Sequence, residues 1–514
     1  MPDMINSTTG GARVPMRVLF ASSEIHPLSK TGGLADVSEA LPAALSNLGV
    51  DVQLITPGYP SAFEQAEDKR VAVILDNVLG FEDVRIVRAR TPKTGVPVWL
   101  VDCPDLYDRD GGPYQDRWGD EWPDNAQRFA MLNHVAAKLS LGATPISWRP
   151  DVVHANDWHT GLLPALLAAV EGARPATVFT IHNMAYQGVF PADLLGCIGF
   201  DNRLFGPDGF EFYGKISFLK SGICFSDYIT TVSPTYAKEI MTPEYGHGLD
   251  GLLRQRAQIT SGILNGVDYG IWDPRHDPFL AEHYSPEDMS GKLTCKKRLQ
   301  ESYGLDVDPD RPIVAFMSRL THQKMADCVL EALPWIAEQD VQFVLVGQGD
   351  SALEEGFRDA AARLPRVAVQ IGYDEPSAHR LLAGADILLA PSRFEPCGLT
   401  HLYAMRYGTV PIVRRTGGLA DTVVEELTSA VPDPSATGYV FQESTTGDMV
   451  ATLEAALDAF RYPLSWRRLM LNSMSADFSW EASARRYLAL YHQLTGEATV
   501  DLDVAEVATV REAV

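Results

Sequence analysis

What most limits the fold of this chain is an alternation of apolar runs and helical periodicity that is set up, broken once, and set up again. Val18-Leu19-Phe20-Ala21 leads into a glycine-containing turn. Leu34, Val37, Leu41, Leu45 and Leu48 then recur at helical spacing, Gly49 stops the helix, and Val52, Leu54 and Ile55 start a second run. Apolar residues three and four apart share one helix face, and a short continuous apolar run suits a strand covered on both sides. The unit is β-loop-α-β, the repeat of a doubly wound parallel sheet. Further strands are predicted at 96–101, 151–154, 177–181 and 228–232. The stretch from Asn265 to Pro286, rich in Asp, Pro, Gly and Tyr, breaks the pattern and is the expected linker. Strands are then predicted at 312–317, 341–346, 367–371 and 386–390, each followed by a helical stretch. At 514 residues the chain exceeds what one hydrophobic core supports. Two Rossmann-like domains facing each other across a cleft are therefore expected, with the cleft as the ligand site.

The charge balance narrows the partners. Against 43 basic residues stand 67 acidic ones, a formal charge of -24 that repels nucleic acid and anionic membrane. A phosphate ligand must then be met by a local cluster of cations and backbone N–H groups, whereas a neutral polysaccharide meets no repulsion. The six cysteines show no paired spacing, so neither a zinc site nor a disulfide framework is expected. The first fifteen residues lack the basic start and apolar run of a signal peptide, and no run approaches the ~20 apolar residues of a membrane span, so a cytoplasmic protein is expected.

Chemistry first surfaces in Lys30-Thr31-Gly32-Gly33-Leu34-Ala35-Asp36. Two glycines between a strand and a helix let backbone N–H groups approach an anion, with the helix N-terminus and Lys30 adding positive potential. A plain tight turn with Lys30 solvated is the alternative for such a pair taken alone. Six of these residues recur as Thr416-Gly417-Gly418-Leu419-Ala420-Asp421, which suggests corresponding loops in the two halves.

That heptapeptide, with Ser22-Ser23-Glu24 before it, resembles the N-terminal signature of bacterial glycogen synthases and plant starch synthases. The resemblance continues in order through Asn156-Asp157-Trp158-His159, Thr180-Ile181-His182-Asn183, Ile263-Leu264-Asn265-Gly266-Val267-Asp268, Ser318-Arg319-Leu320 with Gln323-Lys324, and Pro391-Ser392-Arg393-Phe394-Glu395-Pro396-Cys397-Gly398-Leu399-Thr400. It implies the GT-B fold, two Rossmann-like domains across a deep cleft, and a retaining glucosyltransferase that carries glucose from ADP-glucose to an α-1,4-glucan. It also implies that Arg319 and Lys324 grip the donor pyrophosphate and that the loop of Lys30, Gly32 and Gly33 reaches the distal phosphate from the opposite domain. Glu395 is placed against the glucose, with the N–H groups of Cys397, Gly398, Leu399 and Thr400 meeting the donor. His182 is assigned to the donor glucose through its carbonyl, Asp157 and Asn265 to the donor or acceptor side, and Tyr373 to stacking on adenine. For Tyr373 the residue-level alternative is core packing.

Two places depart from the family pattern: Met325-Ala326 stands where Gly usually follows Gln-Lys, and His401 replaces the commoner Gln. Tyr403 occupies a position where the wider class of retaining transferases carries a second Glu, which agrees with the synthase subgroup and leaves the ribose contact unassigned. No double-displacement nucleophile is evident, so a front-face transfer is expected, with the leaving diphosphate helping to deprotonate the acceptor. No metal or other cofactor is expected. The D-x-D matches Asp108-Arg109-Asp110 and Asp306-Val307-Asp308 are read as chance acidic loops. A nicotinamide dehydrogenase is disfavoured because no G-x-G-x-x-G follows the first strand. A catalytically silent glucan-binding protein and another retaining GT-B transferase are the remaining rivals. The expected organisation is a flexible extension at 1–15, an acceptor-side domain at 16–270, a donor domain at 287–475, a helix at 476–495 packing back on the first domain, and a mobile acidic tail at 496–514.

Overall fold

A computed structural model describes residues 15–426 and 433–496. The expected N-terminal extension, apart from Pro15, and the expected tail beyond Gly496 lie outside the described residues. The chain forms two compact units: one holds the residues up to Ile181, Tyr186–Ile229 and those from Ala484 on, and the other holds His182–Ala185 and Thr230–Ser483.

In the first unit the strands are β1 (Arg17–Ala21), β2 (Asp51–Pro57), β3 (Glu67–Leu75), β4 (Val84–Arg90), β5 (Pro97–Asp102), β6 (Val152–Asn156) and β7 (Ala176–Ile181). Three short strands, β8 (Val189–Pro191), β9 (Glu211–Phe212) and β10 (Lys215–Ser217), make a separate small sheet, and β11 (Tyr228–Thr231) follows. The main sheet runs β11-β7-β6-β1-β2-β5-β4-β3. From β7 to β5 the pairing is parallel, with β1 against both β2 and β6. The helix Gly33–Asn47 buries Leu34, Val37, Leu41 and Leu45, the residues whose spacing predicted it. An antiparallel β3–β4 ribbon at the sheet edge was not legible in the sequence. Its β3 residues are mostly exposed, and charged residues alternate with apolar ones in β4, so neither strand shows a buried run. On β6, His154 hydrogen-bonds through Nδ1 to the Tyr491 hydroxyl at 2.7 Å and through Nε2 to Thr180 at 2.6 Å. Tyr491 lies on the helix Trp480–Thr495.

A short ninth strand, β12 (Thr260–Gly262), extends that main sheet beside β11, and the second unit is built on β13 (Ile313–Met317), β14 (Gln342–Gly347), β15 (Val367–Ile371), β16 (Ile387–Ala390), β17 (Val410–Arg414) and β18 (Tyr439–Phe441). The six strands β13 to β18 form an all-parallel sheet in the order β15-β14-β13-β16-β17-β18. Separate apolar clusters cover its two faces, as a doubly wound sheet requires. The expected linker is a packed strap. Trp272 is sandwiched between His379, at 3.8 Å and 10° between rings, and Tyr403, at 4.1 Å and 3°. Asp277 accepts from His379 at 2.6 Å and from the Tyr407 hydroxyl at 2.5 Å, and Asp273 pairs with Arg406.

Candidate active site

Ligands of parallel α/β sheets gather at the carboxyl ends of the strands where strand order reverses. In the second unit that point lies between β13 and β16, the first strand and its neighbour on the far side from β14. The two loops that leave those strands carry Arg319 and Lys324, and Glu395 to Thr400.

These loops are braced against each other. The Arg393 N–H donates to the Gln323 carbonyl at 2.8 Å, the Gln323 side chain to the Phe394 carbonyl at 3.2 Å, and the Arg393 guanidinium makes a two-pronged pair with Asp327 at 2.8 Å on each prong. The Lys324 ammonium pairs with Glu395 Oε2, which also accepts from Ser392 Oγ at 3.0 Å. Glu395 is buried. Arg319 is exposed, and its side chain makes no hydrogen bond or ion pair with any described residue.

Met325 explains how this chain manages without the usual glycine. Its backbone is left-handed, φ 50° and ψ 31°, the conformation that glycine adopts without strain. Its side chain is fully buried in the core, which offsets that strain. The loop's path at this residue thus stays the one a glycine would take.

The second Thr-Gly-Gly packs tightly. A Cβ on Gly417 would stand 1.8 Å from the Glu395 carbonyl oxygen, and one on Gly418 would stand 2.0 Å from that of Cys397. Gly418 N–H donates to the Glu395 carbonyl at 3.1 Å. His401 is buried beneath, its Nε2 2.6 Å from Thr422 Oγ1. Thr422 spends its own proton on the Gly418 carbonyl at 2.6 Å, so His401 is the donor. Burial, with Lys324 adding repulsion, pushes the His401 imidazole down to about 3. Cys397 lies by the Asn265 backbone, and burial raises its thiol to about 12, which leaves it an inert thiol. Gly398 turns the chain with φ 76° into the helix Thr400–Arg406. His182 directly follows β7, and desolvation lowers it to about 4. Tyr373 is 60% exposed, which removes the core-packing alternative. Tyr403 is held by its stack on Trp272.

In the first unit the strand order reverses between β1 and β6, and the loops leaving those strands carry Lys30 to Gly33 and Asp157. A Cβ on Gly32 or Gly33 would meet nothing within 4 Å, so the fold itself does not demand glycine there. The N–H groups of Thr31 and Gly32, the latter at 3.1 Å, donate to the Glu24 carboxylate, which also accepts from the Tyr114 hydroxyl. Lys30 pairs with Asp36 at 2.7 Å on the exposed side. Asp157 is 6% exposed and has φ 60° and ψ 177°, a region that residues other than glycine rarely enter. Desolvation, opposed by the Trp158 N–H and assisted by the Glu24 charge, pushes its carboxyl up to about 7. Strain and a perturbed pKa on one residue mark it as a functional candidate.

Lys324 and Glu395 are thus brought together, as are Asn265 and Cys397, and Glu24 links the Lys30 loop to Asp157. Arg319 and Tyr373 stand exposed. Glu24, Tyr114, Arg393 and Asp327 escaped the sequence reading as site residues. Glu24 was visible only as a flank of the Lys30 motif, and nothing local marks Tyr114. In the D-x-D matches, Asp110 pairs with Arg117 at 3.5 Å, and Asp306 and Asp308 with Arg311 at 3.9 and 3.4 Å. Among the described residues no group of three or more His, Cys, Asp or Glu side chains could hold a metal ion.

Comparison with known proteins bears on the same residues. The family described as "Starch synthase catalytic domain" matches residues 17–255, and that described as "Glycosyl transferases group 1" matches residues 299–462. The chain is 52% identical over 484 residues to a glycogen synthase from Paramagnetospirillum magneticum, covering 94% of this chain and 98% of the relative. It is 51% identical to a glycogen synthase from Burkholderia thailandensis, covering 94% and 91%. The solved catalytic domain of starch synthase IV from Arabidopsis thaliana, bound to ADP and acarbose, matches with a TM-score of 0.84 at 32% identity, covering 94% of this chain and 100% of that one. The fold is GT-B, and the chain belongs to the glycogen synthase and starch synthase family of glycosyltransferases.

Proposed function

We propose that the protein is a glycogen synthase: it transfers glucose from ADP-glucose to the non-reducing end of an α-1,4-glucan, with the anomeric configuration retained. The observation that carries this reading is the pairing of Lys324 with Glu395, with the exposed cation Arg319 on the same loop as Lys324, on two braced loops at the sheet's switch point. A leaving diphosphate gains negative charge in the transition state, and cations already fixed in place stabilise that charge better than water does.

In this reading Arg319 and Lys324 hold the diphosphate, and Lys30, Gly32 and Gly33 act on its distal phosphate. Glu395 orients the glucose, and the N–H groups from Cys397 to Thr400 meet the donor. The His182 carbonyl faces the anomeric carbon. Burial keeps the His182 and His401 rings neutral at physiological pH, so neither adds a charge. Asp157 and Asn265 serve the donor or acceptor side, and the exposed Tyr373 ring stacks on adenine. The acceptor hydroxyl loses its proton to the departing diphosphate as an oxocarbenium-like centre forms, and it bonds on the face the diphosphate leaves. No metal takes part, and the enzyme acts in the cytoplasm.

The test is incubation with labelled ADP-glucose or UDP-glucose plus glycogen, following label into polymer with and without excess chelator. Incorporation that favours ADP-glucose and survives chelation is expected. No incorporation from either donor would overturn the reading, and loss of activity in chelator would overturn its metal-free part.

A further inference from the structure

The first unit contains a cavity of about 410 Å³ that none of the roles above uses. Ser29, Tyr59, Ser61, Tyr107, Arg109 and Arg128 contribute to its wall. The volume lies in the range of small-molecule sites, about 300–1,000 Å³.

Two polar groups of that wall are incompletely matched among the described residues. Arg128 is 1% exposed, yet among the described residues no carboxylate lies within ion-pair distance of it. Its guanidinium donates only to neutral oxygens: the carbonyls of Leu106 at 2.9 Å and Pro113 at 2.7 Å, and the Asn125 side chain at 2.7 Å. The rings of Tyr59, Tyr107, Trp122 and Phe129 surround it at 5.6 to 5.9 Å. Asp124, which acts on it from farther off, is already held by Arg109. Tyr59, 4% exposed, buries its hydroxyl without a hydrogen-bond partner. A buried cation without a counter-charge and a buried hydroxyl without a partner are both unfavourable, and a single ligand carrying an oxyanion would relieve both.

The remaining lining indicates what carries the oxyanion. Ser29 and Ser61 offer hydroxyls, and the exposed carboxylates Glu64, Asp108 and Asp110 also line the cavity. Those acids oppose a large polyanion but accept readily from sugar hydroxyls, and as exposed charges they are screened by salt over about 8 Å. We propose that this cavity binds a small sugar phosphate monoester, its phosphate on Arg128 and Tyr59 and its hydroxyls on the serines and the acids. The assignment stands independently of the glucosyltransferase reading.

The test is calorimetric titration of the full chain with glucose 1-phosphate, inorganic phosphate, glucose and maltotriose at fixed ionic strength. Wild type, Tyr59→Phe and Arg128→Gln are compared. Saturable binding of the ester is expected, weakened about tenfold in Tyr59→Phe and lost in Arg128→Gln. Tyr59→Phe removes one unpartnered atom and keeps the packing, so it decides the matter even if Arg128→Gln fails to fold. No saturable binding of the ester, or equal affinity in wild type and Tyr59→Phe, would overturn the proposal. Inorganic phosphate binding as tightly as the ester would overturn the sugar part. Glucose or maltotriose binding as tightly would overturn the phosphate part.

Discussion

The Lys324 ammonium rests on the Glu395 carboxylate, the two side chains being 21% and 11% exposed. An ion pair this buried fixes both groups before any ligand arrives, which is the preorganisation that charge stabilisation needs. Truncating either partner leaves the other charge uncompensated. Lys324→Ala and Glu395→Ala are each expected to lower kcat at least ~10²-fold, the scale of removing one preorganised stabiliser. The double variant should lose less than the product of the two, because the groups act as a unit. Near-normal turnover in both single variants, measured by glucose incorporation, would remove them from the site.

The two Thr-Gly-Gly copies should respond oppositely to a methyl group. Gly33→Ala meets no atom within 4 Å and should stay within about 0.5 kcal/mol of wild type while raising KM for the sugar donor. Gly417→Ala meets the Glu395 carbonyl at a backbone φ of 42° and should cost about 2–4 kcal/mol or more. Denaturant titration with donor-dependent kinetics separates the two, and equal stabilities would refute the contrast.

Asp157 is predicted to trade stability for function. Its folded-state pKa of about 7 lies above the ordinary 3.8, so the folded state holds a proton that the unfolded state releases. Stability from this group is present at low pH and falls as pH rises from about 4 to about 7. Asp157→Gly should abolish that fall, relieve backbone strain of about 1–3 kcal/mol, and lower kcat at least tenfold. A glycine variant less stable than wild type at pH 8 would contradict this account.

His401 should make the protein acid-sensitive. Its folded-state value of about 3 lies below the ordinary 6.5, so the unfolded state takes up the proton first and stability is lost as pH falls through that interval. At pH 4 the loss is up to about 3 kcal/mol. His182, at about 4, acts in the same direction. His401→Gln should flatten the fall between pH 6.5 and 4. Thermal melts across that range check it, and an unchanged slope would refute it.

At Met325 the family's usual residue should weaken this particular chain. Met325→Gly removes left-handed strain of about 1–2 kcal/mol but deletes a buried side chain worth about 2–5 kcal/mol. A net loss of about 1–3 kcal/mol in chemical denaturation is expected from that difference. A variant more stable than wild type would show that the side chain does not compensate.

Much was legible in the sequence because burial leaves a local imprint. Apolar spacing located the helix Gly33–Asn47 and the strands β1, β2, β5, β6, β7, β11 and β13 to β16, though not β17 or β18, and collinear motifs carried the resemblance to the family. The ribbon of β3 and β4 left no such imprint, since its edge strand buries little. Nor could composition show that the Asp- and Pro-rich stretch around Trp272 packs between His379 and Tyr403, because its partners lie more than a hundred residues away in sequence.

What the tertiary structure alone decided is which chemically similar residues become different. The two Thr-Gly-Gly copies read alike, yet one faces open space and the other is pressed against the Glu395 and Cys397 carbonyls. Glu24 and Glu395 are both loop carboxylates, yet one caps backbone N–H groups and the other holds an ammonium. Asp157 became strained and proton-binding through burial beside Glu24. The reason is topological: parallel crossovers bring the carboxyl ends of non-adjacent strands together at the point where strand order reverses, and pairings made there are carried by the path of the chain rather than by any local pattern.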